Sequence, residues 1–294
     1  MSKTSAKKGL PRLLARVFAG VVIIAVLAVV VLYGTSEYLL RRTYDVALEP
    51  IVVPADSESI EEGRRLATIR GCNDGCHGKG VSGGEFWNQP WVARFVAPDL
   101  TRIAASHSDV ELARVIRHGV RRNGRSTFGM PSPMFYHLTD TDLGRIIAFL
   151  RSLPVGNGPE TEVHFGPLGR FELLRHPDYA YAEEIARDAP WLAAEDLVGE
   201  RMKGHYLAMT SCPECHGMDF RGAPDGSAPD LTVVGSYSAE HFARLMKEGI
   251  AVGERELPMM SEIARVRFSQ FQDDEVRALY DFLSARARDP RTHE

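Results

Sequence analysis

Residues 212–216 read Cys-Pro-Glu-Cys-His, which is the most informative segment of the sequence. A close variant, Cys-Asn-Asp-Gly-Cys-His, occurs at residues 72–77, and together the two segments hold all 4 cysteines of the 294 residues. A CxxCH segment is typical of covalent haem attachment, in which two thiols form thioethers and the adjacent imidazole ligates the iron. The residues predicted to hold haem are Cys212, Cys215 and His216 in the later motif, and Cys72, Cys76 and His77 in the earlier one.

Three other uses of the cysteines remain open from the residues alone. Two disulfides would suit an exported protein, although they give no reason for a histidine after each second cysteine. A zinc site with four cysteines would have to join two pairs that are distant in sequence, and it would give neither histidine a function. A thioredoxin-like redox motif requires an adjoining βαβ pattern, which the sequence does not display.

The two halves of the chain repeat one another. The pattern GxxLA occurs at residues 63–67 and 204–208, upstream of the cysteines, and APDLT occurs at 97–101 and 228–232, downstream of them. Each half continues with a glycine and, eleven residues later, a methionine; these are Gly119 with Met130, and Gly249 with Met260. Because the halves share this design, the CxxxCH motif is predicted to have the same function as the CxxCH motif.

The first 36 residues are basic and then apolar. They hold five cations and no acid, and residues 17–33 contain no charged or strongly polar side chain. As a helix, residues 13–33 reach about 30 Å, which is enough to cross the hydrocarbon core of a bilayer. An uncleaved anchor is favoured over a cleaved signal peptide, because the apolar run is long and no A-x-A-like site follows it. The positive-inside rule predicts that the remainder of the chain lies outside the cytoplasm.

Composition excludes several classes of protein. The chain is 44% hydrophobic and 25% charged, so it can form a core and is neither collagen-like nor wholly disordered. Its formal net charge is −4, and beyond residue 36 the charge is −9. No basic patch with interleaved aromatic residues is present there, so no nucleic-acid partner is expected.

The apolar spacing predicts helices and no sheet. Ser59 is expected to cap one helix, Ser108 or Asp109 to begin a second that ends at Gly119, and Thr139 to begin a third that ends before Pro154. The later half is expected to repeat this plan. Between the halves, several prolines predict an ordered but irregular crossover, with a short helix at 171–174 or 181–187.

The predicted organisation has six parts. They are a basic end and transmembrane anchor (1–36), a linker (37–56), a first domain (57–154), the crossover (155–195), a second domain (196–288) and a tail (289–294).

The chain resembles bacterial membrane-anchored cytochromes c that are built from tandem class I cytochrome c domains. It is most similar to the cytochrome subunits of membrane-bound periplasmic dehydrogenases, over roughly residues 40–285, through the CxxCH, PDLT and Met-before-helix series. The resemblance implies an all-α fold, with two tandem class I domains behind one transmembrane helix. Two features differ from the family pattern: the CxxxCH spacing, and two haem motifs where such subunits usually have three.

The resemblance also implies the cofactors and the iron ligands. Two covalently attached haem c groups are expected, one ligated by His77 and Met130 and the other by His216 and Met260. Backbone carbonyls at Pro98 and Pro229 are expected to orient the two imidazoles. The rivals for the methionine positions are Met134 and Met259; His118 and His137 are near the first motif in sequence, and surface or core roles are expected for them.

The resulting functional hypothesis is an electron-transfer subunit that is not itself an enzyme. The haems would relay single electrons between donor and acceptor proteins, expected to be other subunits of a membrane complex, on the periplasmic side of a bacterial inner membrane. Methionine ligation raises the potential of a haem, which suits such a relay. The alternative is a di-haem peroxidase-type enzyme with one open iron position; a metal-binding scaffold without haem is a third hypothesis.

Overall fold

The computed structural model describes residues 9–188 and 200–289 of the chain. The α-helices are α1 (Gly9–Arg41), α2 (Ser57–Ile69), α3 (Leu100–Ser106), α4 (Asp109–His118), α5 (Ser132–Phe135), α6 (Asp140–Ser152), α7 (Pro167–Arg175), α8 (Tyr181–Asp188), α9 (Glu200–Met209), α10 (Pro213–His216), α11 (Ala239–Glu248), α12 (Pro258–Val266) and α13 (Asp273–Ala287). The strands are β1 (Gly84–Gln89), β2 (Ala93–Ala97), β3 (Glu162–Phe165), β4 (Ile250–Ala251) and β5 (Arg255–Glu256).

Helix α1 is long, apolar and exposed along most of its length. Within the described residues it is the one helix with the length and composition needed to cross a membrane, by the same criteria that a signal sequence would meet. The helix continues to Arg41, so residues 37–41, which the sequence assigned to a linker, are helical. No glycine or proline interrupts it after Gly34, and an ion pair between Arg41 and Glu37, at 2.6 Å, supports its last turn.

The predicted helices of the first half are present, with one corrected start. Helix α2 begins earlier than expected, because Asp56 and not Ser59 is the capping residue: its carboxylate accepts the backbone N–H of Ser59 at 2.8 Å. Ser108 caps α4 and Thr139 caps α6, as predicted. Gly119 ends α4 in the left-handed conformation, with φ of +62°.

The structure is mainly helical, as expected, but it is not all-α, because strands are present. Strands β1, β2 and β3 form an antiparallel sheet in that order, and β4 and β5 form a two-stranded one. The strands are two to six residues long, and the register of β1 on β2 shifts between Glu85 and Trp87. Such short and irregular strands leave no sustained alternation of polar and apolar residues in the sequence.

The crossover packs onto the first half. Its strand β3 completes the sheet, and the backbone N–H of Asp99 donates to the carbonyl of Pro159 at 2.9 Å. Both segments in which a helix was expected are helical, as parts of α7 and α8. Residues 189–195 of the predicted crossover lie outside the described residues.

The two halves have equivalent helix pairs. Helix α2 packs against α6, and α9 packs against α13. The repeated first glycine of GxxLA lies at each crossing: a Cβ on Gly63 would lie 1.9 Å from the carbonyl oxygen of Arg145, and one on Gly204 would lie 2.0 Å from that of Ala278. Only glycine allows this approach, so the repeated sequence has a common packing cause. Each half has its own buried apolar cluster.

The halves meet face to face through equivalent surfaces. Arg65 of α2 forms an ion pair with Glu275 of α13 at 2.6 Å, and Tyr206 of α9 donates its hydroxyl to Asp142 of α6 at 2.5 Å. Arg65 and Tyr206 occupy the same position of the repeat, and so do Asp142 and Glu275. A contact that is repeated with its partners exchanged is the property of an interface with approximate two-fold symmetry.

Candidate functional site

The first cysteine motif follows α2 directly. The N–H of Cys72 donates to the carbonyl of Ala67 at 2.9 Å, which holds the start of the motif against the last turn of the helix. The additional residue is accommodated at Asp74, which adopts φ of +57°. Gly75 packs closely against the preceding turn, since a Cβ there would lie 2.2 Å from the carbonyl oxygen of Gly71.

Each motif histidine is oriented by a proline carbonyl. His77 Nδ1 lies 2.9 Å from the carbonyl oxygen of Pro98, and His216 Nδ1 lies 2.8 Å from that of Pro229. A carbonyl can only accept, so Nδ1 carries the proton in both rings and Nε2 keeps a free lone pair. Burial lowers the pKa of both imidazoles and favours the neutral form that ligates a metal. This is the contact that the resemblance implies.

A cavity of about 680 Å³ adjoins the first motif. Its lining includes the motif residues Cys72, Cys76 and His77, and Met130. Met134, the rival of Met130, is only 1% exposed and packs in the apolar cluster of the first half. The cavity therefore brings together the four side chains that the sequence assigned to the first haem.

The remaining lining was not foreseen from the sequence. It includes aromatic side chains and cations, namely Phe86, Phe95, Phe128, Arg102, Arg121, Arg122 and His107. Two of the aromatics come from the unpredicted strands β1 and β2. Burial lowers the pKa of Arg121, which means that the charged form is partly desolvated in the cavity wall and is less stable there than in water. His107 has no motif around it and could not be found from the sequence.

These residues fit a c-type haem. The volume lies in the range of cofactor pockets, and the wall combines apolar surface with cations that complement the two carboxylates of a haem. Two thiols can attach this group covalently, and an oriented neutral imidazole and a thioether can ligate its iron.

The second motif lies on α10, after α9. Met260 packs against the same apolar cluster as Cys212, whereas Met259, its rival, is 67% exposed. Pro258 is the first residue of α12, and its fixed φ suits the start of a helix. Met260 is thus the methionine that α12 directs into the second half.

The geometry does not favour the other uses of the cysteines. All four are free thiols, and burial raises the pKa of Cys72 to about 11 and that of Cys212 to about 12, whereas reactive redox cysteines have lowered values. In the described part of the chain, no group of three or more His, Cys, Asp or Glu side chains is arranged to hold a metal ion. His118 and His137 are not among the residues that line the cavity.

The two motifs lie against each other. Cys76 Sγ is 3.9 Å from Glu214 Oε1, although Glu214 belongs to the second motif, and Glu214 also lines the cavity of the first. Arg267 bridges the halves: it pairs with Glu214 at 2.9 Å, donates to the carbonyl of Ile69 at 3.0 Å and lies directly beside Gly71. The interface thus brings the two attachment segments into contact.

Comparison with known proteins identifies the later half. A sequence model of the cytochrome c family matches residues 202–286, and no curated protein matches the chain. The matched region contains the CxxCH motif, Pro229 and Met260, and its ends fall close to the predicted boundaries of the second domain at 196 and 288. The chain therefore contains a cytochrome c domain, which implies covalently bound haem c and haem-based electron transfer, behind an N-terminal apolar helix.

Proposed function

We propose that the protein is a membrane-anchored di-haem c-type cytochrome that relays single electrons. Its place is the periplasmic face of a bacterial inner membrane, as a subunit of a respiratory or dehydrogenase complex. The observation that carries the proposal is the contact between the two motifs, in which Cys76 and Glu214 lie 3.9 Å apart.

The first half is proposed to be a second cytochrome c domain. The support is the equivalence of three contacts: the helix crossings at Gly63 and Gly204, the imidazole contacts at Pro98 and Pro229, and the left-handed glycines that end α4 and α11. None of these contacts depends on the number of residues between the two cysteines, in which the first motif departs from CxxCH.

Bound haem supplies a one-electron couple whose potential is raised by methionine ligation. The chain's own residues determine how that couple is held. Cys72 and Cys76 would attach the first group covalently, and the carbonyl of Pro98 orients the ring of His77, which would ligate its iron. Met130 would supply a second, neutral donor, and the surrounding apolar cluster would exclude water. Residues Cys212, Cys215, His216, Pro229 and Met260 have the same functions in the second half.

Contact between the motifs suits transfer within one chain. Each motif carries the cysteines that would attach one haem, so contact between the motifs would keep the two attachment sites at a short separation. Two contacts across the interface, Arg65 with Glu275 and Tyr206 with Asp142, hold the halves together and so keep this separation fixed. A fixed, short separation favours rapid passage of electrons and requires no movement of the domains.

Carbon monoxide binding tests the relay against the peroxidase alternative. If Met130 and Met260 are both iron ligands, the parent protein binds no carbon monoxide. Replacing either residue by alanine leaves haem attachment intact, converts one haem to high spin and creates one carbon monoxide site. Met259→Ala is the matched control and changes nothing, because that side chain is 67% exposed. A parent protein that already binds carbon monoxide at one haem supports the peroxidase-type enzyme and contradicts the relay.

A further inference from the structure

Three apolar side chains form an exposed patch beside α7. Trp91 is 72% exposed, Leu168 is 57% exposed and Phe171 is 52% exposed. Leu168 and Phe171 are three residues apart on α7 and share a face of the helix. The N–H of Leu168 donates to the carbonyl oxygen of Trp91 at 3.0 Å, so the tryptophan lies beside the first turn of α7.

The patch lies next to the end of the apolar helix. Arg170 of α7 donates to Ser36 Oγ at 2.8 Å and pairs with Glu37 at 3.0 Å, and its guanidinium lies 4.8 Å from the centre of the Tyr33 ring. Tyr33 is the last residue of the apolar run, and Ser36 is one helical turn beyond it. The Arg170 guanidinium is therefore held within about 5 Å, along the axis of α1, of the point at which the apolar run ends.

The backbone at Trp91 is strained. Residues 89–92 form a turn in which the N–H of Val92 donates to the carbonyl of Gln89 at 3.1 Å, with Pro90 second and Trp91 third. Trp91 has φ of +68°, a conformation that favours glycine and costs another residue about 1 kcal/mol. The hydrogen bonds of the turn and of Leu168 hold this backbone in place, while the exposed indole gains little from packing within the protein. The strained turn therefore presents the tryptophan side chain outward.

We propose that Trp91, Leu168 and Phe171 insert into the interfacial layer of the bilayer that α1 crosses, which seats the first half on the membrane in one orientation. The inference rests on the proposed anchoring by α1. Tryptophan is enriched at the level of lipid headgroups. Arg170 is paired with Glu37, and Arg175 is paired with Glu172 at 3.4 Å, so the attraction of the patch for the bilayer is apolar and does not depend on net charge.

Spin labels on introduced cysteines test the seating. The four native cysteines are consumed by haem in the proposed holoprotein, so an introduced cysteine is the only free thiol. The test variants are Leu168→Cys and Phe171→Cys. The matched control is Val233→Cys, at a position that is 44% exposed in the second half. Ile24→Cys reports whether α1 itself is surrounded by lipid. The full chain is reconstituted at low density in phosphatidylethanolamine and phosphatidylglycerol vesicles. Collisions with oxygen, which concentrates in lipid, are then compared with collisions with a water-soluble nickel chelate.

The proposal predicts an oxygen-to-nickel ratio several-fold higher at positions 168 and 171 than at 233. If 168 and 171 resemble 233 while position 24 is lipid-exposed, the seating is refuted and the anchor stands. If the nickel chelate reaches position 24, the anchor itself fails and the seating fails with it. The nickel chelate could also reach the labels in these vesicles but not in native membranes. That result would show that a protein partner covers the patch, which also refutes the proposal.

Discussion

Arg267 is the side chain whose replacement most directly probes the contact between the motifs. It is 5% exposed, pairs with Glu214 at 2.9 Å and donates to the carbonyl of Ile69 at 3.0 Å. Arg267→Met removes the cation and leaves the Glu214 carboxylate beside Cys76 without a charged partner. It also removes a hydrogen bond between the two halves.

The expected cost follows from the burial of the two partners. Breaking a fully buried pair from one side costs about 3–5 kcal/mol, but the Glu214 side chain is 29% exposed and keeps part of its hydration. We therefore expect Arg267→Met to lower the free energy of unfolding by about 3 kcal/mol. Glu214→Gln keeps the bond to Ile69 and is expected to cost about 2 kcal/mol.

The double variant distinguishes a specific pair from general disruption. Since the second substitution removes a charge that is already unpaired, the double variant should cost at least about 2 kcal/mol less than the sum of the single variants. The assay is guanidinium unfolding of the holoprotein, followed by circular dichroism of the haem band. Arg244→Met is the control, because its exposed pairs with Glu248 and Glu254 contribute less than about 1 kcal/mol each. If the losses in unfolding free energy are additive, or if Arg267→Met costs no more than Arg244→Met, then Arg267 and Glu214 do not act as a buried pair.

Three further predictions concern stability and topology. Trp91→Gly should raise the thermal unfolding midpoint by relieving about 1 kcal/mol of strain at φ of +68°; a lower midpoint contradicts the strain. Burial, helped by the charge of His205, lowers the pKa of His137 to about 4, so the unfolded chain binds this proton first. Stability should therefore fall, by up to about 3 kcal/mol, as the pH falls from about 6.5 to 4, and His137→Phe should reduce that fall; an unchanged slope contradicts it. Protease added to spheroplasts should digest everything beyond α1, and a protected body contradicts the proposed orientation.

Local sequence signals predicted much of the structure. Ser108 and Thr139 cap their helices because each side chain precedes an apolar stripe with an acid in its first turn. The GxxLA repeat was recognised as a pattern, and its cause is the contact of Gly63 and Gly204 with the carbonyls of crossing helices. These features depend on neighbours in sequence or on a repeated sequence, so one chain is sufficient to find them.

Features that depend on distant partners were missed. Strand β3 is paired with β2 across more than sixty residues, and the alternation of its four residues, Glu-Val-His-Phe, is too short to indicate a strand. Arg267 lies in no motif and Glu214 occupies an unspecified position of CxxCH, yet their ion pair lies at the contact between the two cysteine segments. The cations and aromatics of the cavity wall are likewise assembled from separate elements. Tertiary packing alone brings such residues together.

Intact mass measurement of the purified chain shows whether both halves carry covalently attached haem. The parent protein should carry two haem additions, and the variant with Cys72→Ser and Cys76→Ser should carry one. The matched variant with Cys212→Ser and Cys215→Ser should also carry one, and its remaining haem should keep a low-spin spectrum. A single addition in the parent, unchanged by Cys72→Ser and Cys76→Ser, would contradict the account, because the first half would then hold no haem.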